Sequence, residues 1–251
     1  YETQYALEKA GADVDLVHVN QLVREKGLLR PYHIFVLPGG FTYGDDIAAG
    51  KVLANQLRQH VLDELTRFVD DGKLIIGICN GFQVLMKMGL LPEVKGAQAS
   101  LTGNKQRFTL TYNDSNKFED RWVYLKSASN KSVFVDNDSF MYVPIAHAEG
   151  KFVAENQEDI EKLDKSGQIV FKYVDKNGNM SGYPWNPNGS SDNIAGVCDS
   201  TGRILGMMPH PERHIDPTQH PRWTREGLKA EGDGIVIFRN AVNYISRTFR
   251  S

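Results

Sequence analysis

The sequence predicts an α/β protein with a doubly wound, mostly parallel sheet and antiparallel hairpin insertions. Three observations predict it. Strand-type and helix-type stretches alternate as far as Gly89, as parallel sheets with covering helices require. After Pro92 the pattern changes to short β-type runs separated by Asn, Asp, Ser and Gly. Between them lies the stretch Leu74-Ile75-Ile76-Gly77-Ile78-Cys79-Asn80-Gly81-Phe82-Gln83. It begins as a buried strand of β-branched and apolar residues and turns sharply at Cys79. It then continues as a helix that ends at Gly89.

In chain order, Glu2 to Ala10 reads as a helix stopped by Gly11. Val14 to Val19 and His33 to Leu37 read as strands, the second ending at Pro38-Gly39-Gly40. A sheet of this kind ordinarily opens on a strand, whereas this sequence opens in the helix. The first strand is therefore expected to be missing from it, because an absent central strand leaves backbone groups unpaired. From Lys51 to Asp71, Leu53, Leu57, Val61, Leu65 and Phe68/Val69 recur every three or four positions, which predicts one amphipathic helix closed by Gly72. Arg107–Tyr112, Arg121–Lys126, Ser139–Ile145 and Ile169–Val174 are the later β-type runs, expected as hairpins against one end of the sheet. Val153 to Gly167 is polar and acidic, a helix plus loop. Ile194–Cys198 and Arg203–Met208 form a hairpin turned at Ser200-Thr201-Gly202, and Gly234 to Tyr244 a C-terminal helix.

Composition narrows the function. At 251 residues the chain can bury one large core, and a single domain over residues 1–251 is expected. Charged residues are 24%, the net charge is −2 and no basic block occurs, so the electrostatic footprint of a nucleic-acid binder is missing. No apolar run reaches the length of a membrane span and no signal peptide opens the sequence. Cys79 and Cys198 lie too far apart to suggest a disulfide framework. The expectation is a cytoplasmic protein kept reduced.

Gly77-x-Cys79-x-Gly81 has the pattern of a nucleophile elbow, in which a strand delivers one reactive side chain onto a tight turn at a helix start. The helix N-terminus favours thiolate over thiol. A cysteine at a strand end is more commonly a small core residue, so the chemical reading needs a base elsewhere. Met207-Met208-Pro209-His210-Pro211-Glu212-Arg213-His214 supplies one after a predicted strand: His210 to take the proton, Glu212 to hold the imidazole. Pro211 is expected to keep the backbone extended, so a direct His210–Glu212 bond requires a local bend. Taken alone, this segment is a surface turn. His210, His214 and His220 do not spell a metal site, since Pro211 and Pro217 oppose the helix that would align them. In Pro38-Gly39-Gly40-Phe41, two glycines after a strand free N–H groups to face a ligand and, with the N–H of Asn80, to form an oxyanion hole. One such donor is worth about 3 kcal/mol in the transition state.

Together these segments resemble the class I (triad) glutamine amidotransferases and, within them, the PurQ-type glutaminase subunits of phosphoribosylformylglycinamidine synthase. The matching segments are VLPGGFTYGDDIAAG (36–50), GICNGFQVLMKMGLLP (77–92), PIAHAEGKF (144–152), NPNGSSDNIAGV (186–197) and GMMPHPERH (206–214). The missing first strand and the stretch Ile215 to Gly232 depart from the pattern, and the latter leaves partner contacts open. The resemblance implies a flavodoxin-like sheet and hydrolysis of glutamine by a Cys79–His210–Glu212 triad. It implies Gly40 and Asn80 for the oxyanion, and Gly39 and Gln83 for the substrate. It implies no metal or cofactor on this chain, with ATP and Mg used by a PurL-like synthetase partner, a small PurS-like subunit as a further partner, and purine biosynthesis as the setting. His147 and Glu149 rank below the triad, facing either the partner or the site, and Cys198 is read as structural. A γ-glutamyl hydrolase and a non-catalytic synthetase-binding module are the competing readings.

Overall fold

The computed structural model describes residues 1–41, 50–92 and 107–249. Residues 42–49, part of the first matching segment, lie outside it. The strands among the described residues are β1 (Ile34–Leu37), β2 (Leu74–Ile78), β3 (Phe108–Thr111), β4 (Glu119–Ser127), β5 (Phe140–His147), β6 (Lys151–Ala154), β7 (Ile169–Val174), β8 (Ile194–Cys198) and β9 (Ile204–Met207). Seven of them form one sheet in the order β1-β2-β9-β8-β7-β4-β5, and β3 pairs with β6 in a two-stranded sheet. The β1-β2 and β2-β9 pairs are parallel. From β9 outward every pairing is antiparallel. Three of the later β-type runs, Arg121–Lys126, Ser139–Ile145 and Ile169–Val174, therefore continue the main sheet itself instead of lying against its end, while Arg107–Tyr112 supplies β3 of the separate pair.

The helices are α1 (Glu2–Lys9), α2 (Val19–Arg24), α3 (Lys51–His60), α4 (Leu62–Asp70), α5 (Asn80–Met88), α6 (Gln157–Lys165), α7 (Trp223–Glu226) and α8 (Ile235–Thr248). Gly89 ends α5 in the left-handed conformation at φ 81°, as the sequence predicts. All five residues of β2 are buried, and every residue of α5 except Lys87 is buried. This strand and helix are the centre of the core, which fixes the turn between them.

Two further expectations fail. The strand over Val14–Val19 does not form: residues 12–18 make no ladder, Leu16 and Val17 are exposed, and Val19 opens α2 with the His18 side chain as its cap. The physical reason is a missing neighbour. β1 pairs with β2 on one side and, among the described residues, with no strand on the other. The helix expected over 51–71 is two helices. Buried Val61 takes φ −127° between α3 and α4 and remains in the apolar stripe with Leu57 and Leu65. That φ is an easy one for a β-branched residue.

Candidate active site

Three chain segments meet at Cys79. The first is the elbow. Cys79 sits at φ 50°, ψ −106°, outside the regions a side chain ordinarily occupies. Such a backbone costs about 1–3 kcal/mol and persists only where the surroundings over-determine it. Here they do. The Cys79 N–H donates to the Met207 carbonyl at 2.8 Å, and the Cys79 carbonyl accepts from Gln83 N at 3.1 Å to open α5. The flanking glycines are needed for space. A Cβ on Gly81 would lie 1.9 Å from the Leu37 carbonyl oxygen, and one on Gly77 would lie 2.5 Å from Leu85 Cδ1.

The second segment is the loop after β1. A Cβ on Gly39 would lie 2.6 Å from His210 Cε1 and 3.4 Å from Cys79 Cβ. Gly39 is thus wedged between the two reactive side chains, and Gly40 follows at φ 148°, a backbone suited to glycine.

The third is the histidine loop. Pro211–Arg213 is a 3-10 turn with proline at its first position, and it supplies the bend that an extended reading lacked. His210 Nδ1 and Glu212 Oε1 are 2.7 Å apart, with both side chains buried. Burial alone would lower the His210 pKa; the Cys79 sulfur and the Glu212 carboxylate beside it overcome that and push it up to about 9. The other ring nitrogen, Nε2, is buried and has no hydrogen-bond partner among the described residues.

Gln83 is buried with its amide engaged at both ends. Its Nε2 donates to the Glu149 carbonyl at 2.6 Å, and its Oε1 accepts from Asn80 Nδ2 at 3.1 Å. It braces the start of α5 against the loop after β5. Cys79 Sγ lies 3.7 Å from the Ala146 carbonyl at the end of β5. Cys198, fully buried in β8, has its thiol pushed up to about 12 by burial, which marks it as inert at neutral pH. His214 packs edge-on and His220 at a tilt against Trp122, and the described residues contain no cluster able to hold a metal.

Sequence reasoning missed a buried knot beneath the site. Asn113 Oδ1 accepts from Gly150 N and faces His147 Nδ1, both at 3.1 Å, while its Nδ2 donates to the His147 carbonyl at 2.8 Å. Asn188 Nδ2 donates to the Gly150 carbonyl at 2.8 Å, and its Oδ1 accepts from the Ser190 hydroxyl at 2.7 Å. The PIAHAEGKF and NPNGSSDNIAGV segments are therefore joined in space. The signal was the density of Asn and Ser in otherwise buried stretches. His147 is held neutral: burial, then the nearby His210, push its pKa down to about 3.

The whole of residues 1–245 matches the family described as the CobB/CobQ-like glutamine amidotransferase domain. The PurQ subunit of phosphoribosylformylglycinamidine synthase from Dehalococcoides mccartyi is 45% identical over 245 residues, covering 97% of this chain and 91% of its own. The chain belongs to the PurQ family of glutamine amidotransferases. A PurQ subunit from Methanococcus maripaludis is 41% identical over 258 residues, covering 98% of this chain and 93% of its own. Among solved structures, PurLQS from Thermotoga maritima superposes with a TM-score of 0.71 at 30% identity, covering 97% of this chain and 92% of that one. A glutamine amidotransferase from the same organism, at 15% identity and a TM-score of 0.55, shares the fold. The PurQ fold thus sets a class I amidotransferase sheet beneath the three converging segments.

Proposed function

We propose that this chain is the glutaminase subunit of a phosphoribosylformylglycinamidine synthase, hydrolysing glutamine and delivering ammonia to a synthetase subunit in purine biosynthesis. The observation that carries it is Gly39, wedged against both Cys79 and His210 while His210 holds Glu212 at 2.7 Å. The Cys79 thiolate attacks the side-chain amide carbon of glutamine. The N–H groups of Gly40 and Asn80 stabilise the oxyanion, at the end of α5 where positive partial charge collects. His210, kept protonated by its surroundings, gives its proton to the departing ammonia, which leaves a γ-glutamyl thioester. A water that transfers its proton to His210 then attacks that thioester, releasing glutamate and restoring the Cys79 thiolate beside protonated His210. Glu212 fixes the imidazole orientation throughout. Gly39 leaves room for the substrate, and Gln83 serves it through the Glu149 loop it braces.

The partners follow from the same reading: a PurL-like synthetase that uses ATP and Mg, and a small PurS-like subunit. This chain itself carries no cofactor, forms one domain and works in the cytoplasm. Among the described residues no helix is long and apolar enough to cross a membrane. A reactive glutamine analogue, followed by peptide mapping, tests the nucleophile. The adduct is expected on Cys79 with Cys198 unmodified; an adduct on Cys198, or on neither cysteine, overturns the assignment.

A further inference from the structure

Among the described residues β5 is an edge strand of the main sheet, paired with β4 alone. Its outer edge carries a ladder of contacts at alternate residues, the period of backbone groups along a strand. Ala146 presents its carbonyl to Cys79 Sγ at 3.7 Å. Two residues back, the Pro144 carbonyl accepts from the backbone N–H of His210 at 2.8 Å. Two further back, the Tyr142 carbonyl accepts from His214 Nδ1 at 2.6 Å, and the Tyr142 N–H donates to Asp233 Oδ2 at 3.0 Å. Pro144 has no N–H, so at that rung the edge offers an acceptor alone. The turn from His210 to His214 is therefore fastened to β5 at both ends, on carbonyls two residues apart.

Its outer side is fastened as well. The Gly234 N–H donates to the His214 carbonyl at 2.9 Å. A Cβ on Gly232 would lie 2.3 Å from that carbonyl oxygen, and one on Gly234 would lie 1.9 Å from the Pro211 carbonyl oxygen. The His214 ring packs edge-on against Trp122 at 5.1 Å and is fully buried. His214 Nδ1 lies 2.6 Å from the Tyr142 carbonyl and 3.3 Å from the Asp233 backbone nitrogen. Because a carbonyl can only accept, the shorter contact assigns the proton to Nδ1, and Nε2 is buried with no hydrogen-bond partner among the described residues. The segment between these fastenings folds over the same strand: Arg222 Nη1 donates to the Tyr142 hydroxyl at 3.2 Å.

We infer that His214 is a positioning residue, holding His210 and Glu212 in register with Cys79 by anchoring their turn to the edge of β5. The inference rests on the proposed glutaminase reading for the role of His210. A residue that merely filled space would act through its ring; His214 acts through its Nδ1 donor.

The test separates these properties in the full chain. His214→Phe keeps a ring against Trp122 and loses the donor. His214→Asn loses the ring but keeps an amide N–H near the Nδ1 position. Two readouts are taken: the pH profile of Cys79 alkylation by iodoacetamide, and glutaminase kcat and KM with the synthetase bound. His214→Phe is expected to lower kcat about 10- to 100-fold, the scale of a roughly 1 Å misplacement, with KM within about twofold. It should also change the pH profile of Cys79 alkylation, because the His210 ring that bonds the sulfur is displaced. His214→Asn should restore both toward the parent, and in a His210→Ala background His214→Phe should change nothing further. Equal impairment by Phe and Asn, or a Phe variant indistinguishable from the parent, overturns the inference. An inactive parent complex would refute the glutaminase reading instead, and the alkylation profile would still decide the role of His214.

Discussion

Cys79 carries the strain of the site and His210 carries its charge. A cysteine at φ 50° is held there by the buried strand before it and the buried helix after it. Glycine neighbours at 77 and 81 let the backbones close around it. The three residues proposed as the triad were legible as candidates because each sits in a short pattern whose chemistry needs that residue type. The His210–Glu212 contact was not, since Pro211 reads equally well in an extended chain and at the start of a 3-10 turn. His210→Ala is expected to remove nearly all glutaminase turnover. Glu212→Gln should leave a measurable remainder, because the base survives while its orientation is lost. The pH profile gives the sign. The folded-state pKa of His210 is raised from 6.5 to about 9, so the imidazolium and the stability it contributes are fully present below pH 6.5 and lost as pH rises through about 9. The basic limb of kcat/KM should fall in that range for the parent and move to lower pH in Glu212→Gln. A Glu212→Gln variant with the parent's rate and profile would show that Glu212 does not orient the base.

At the scale of elements, the strand–elbow–helix unit was readable because local pattern and burial agree over residues 74–89. The hairpin of β8 and β9 was readable for the same reason, its turn residues standing between two apolar runs. The segment at 14–19 was misread because β-type composition needs a neighbouring strand before it becomes a ladder. β6 was missed: its four residues, only one of them buried, carry too little alternation to stand out. The loop after β1 makes a sharp prediction. Gly39→Ala places a methyl 2.6 Å from His210 Cε1 and 3.4 Å from Cys79 Cβ, so it strikes the reacting pair while leaving the core alone. Glutaminase activity is expected to fall about 100-fold with the thermal midpoint little changed. Retained activity in Gly39→Ala, with its fold verified, would show that the loop is looser than this packing requires.

Across the whole molecule, the sheet does two jobs with one set of strands. Its parallel part, β1-β2-β9, brings the loop after β1, the elbow and the histidine loop to one end. Among the described residues its antiparallel part ends in β5, whose outer edge receives the turn that carries His210. The role of Ile215 to Gly232 could not be read from sequence, because nothing local announces that Arg222 reaches Tyr142 and Tyr124 on distant strands. The central claim is that Cys79 exists to supply ammonia to a partner that performs the synthesis. The most direct measurement is amidine synthesis by a complex carrying Cys79→Ser, with glutamine and then with an ammonium salt as nitrogen source. Loss of the glutamine-dependent reaction with the ammonium-dependent one intact is the predicted result. Glutamine-dependent synthesis at the parent rate, or loss of ammonium-dependent synthesis in an intact complex, would contradict it.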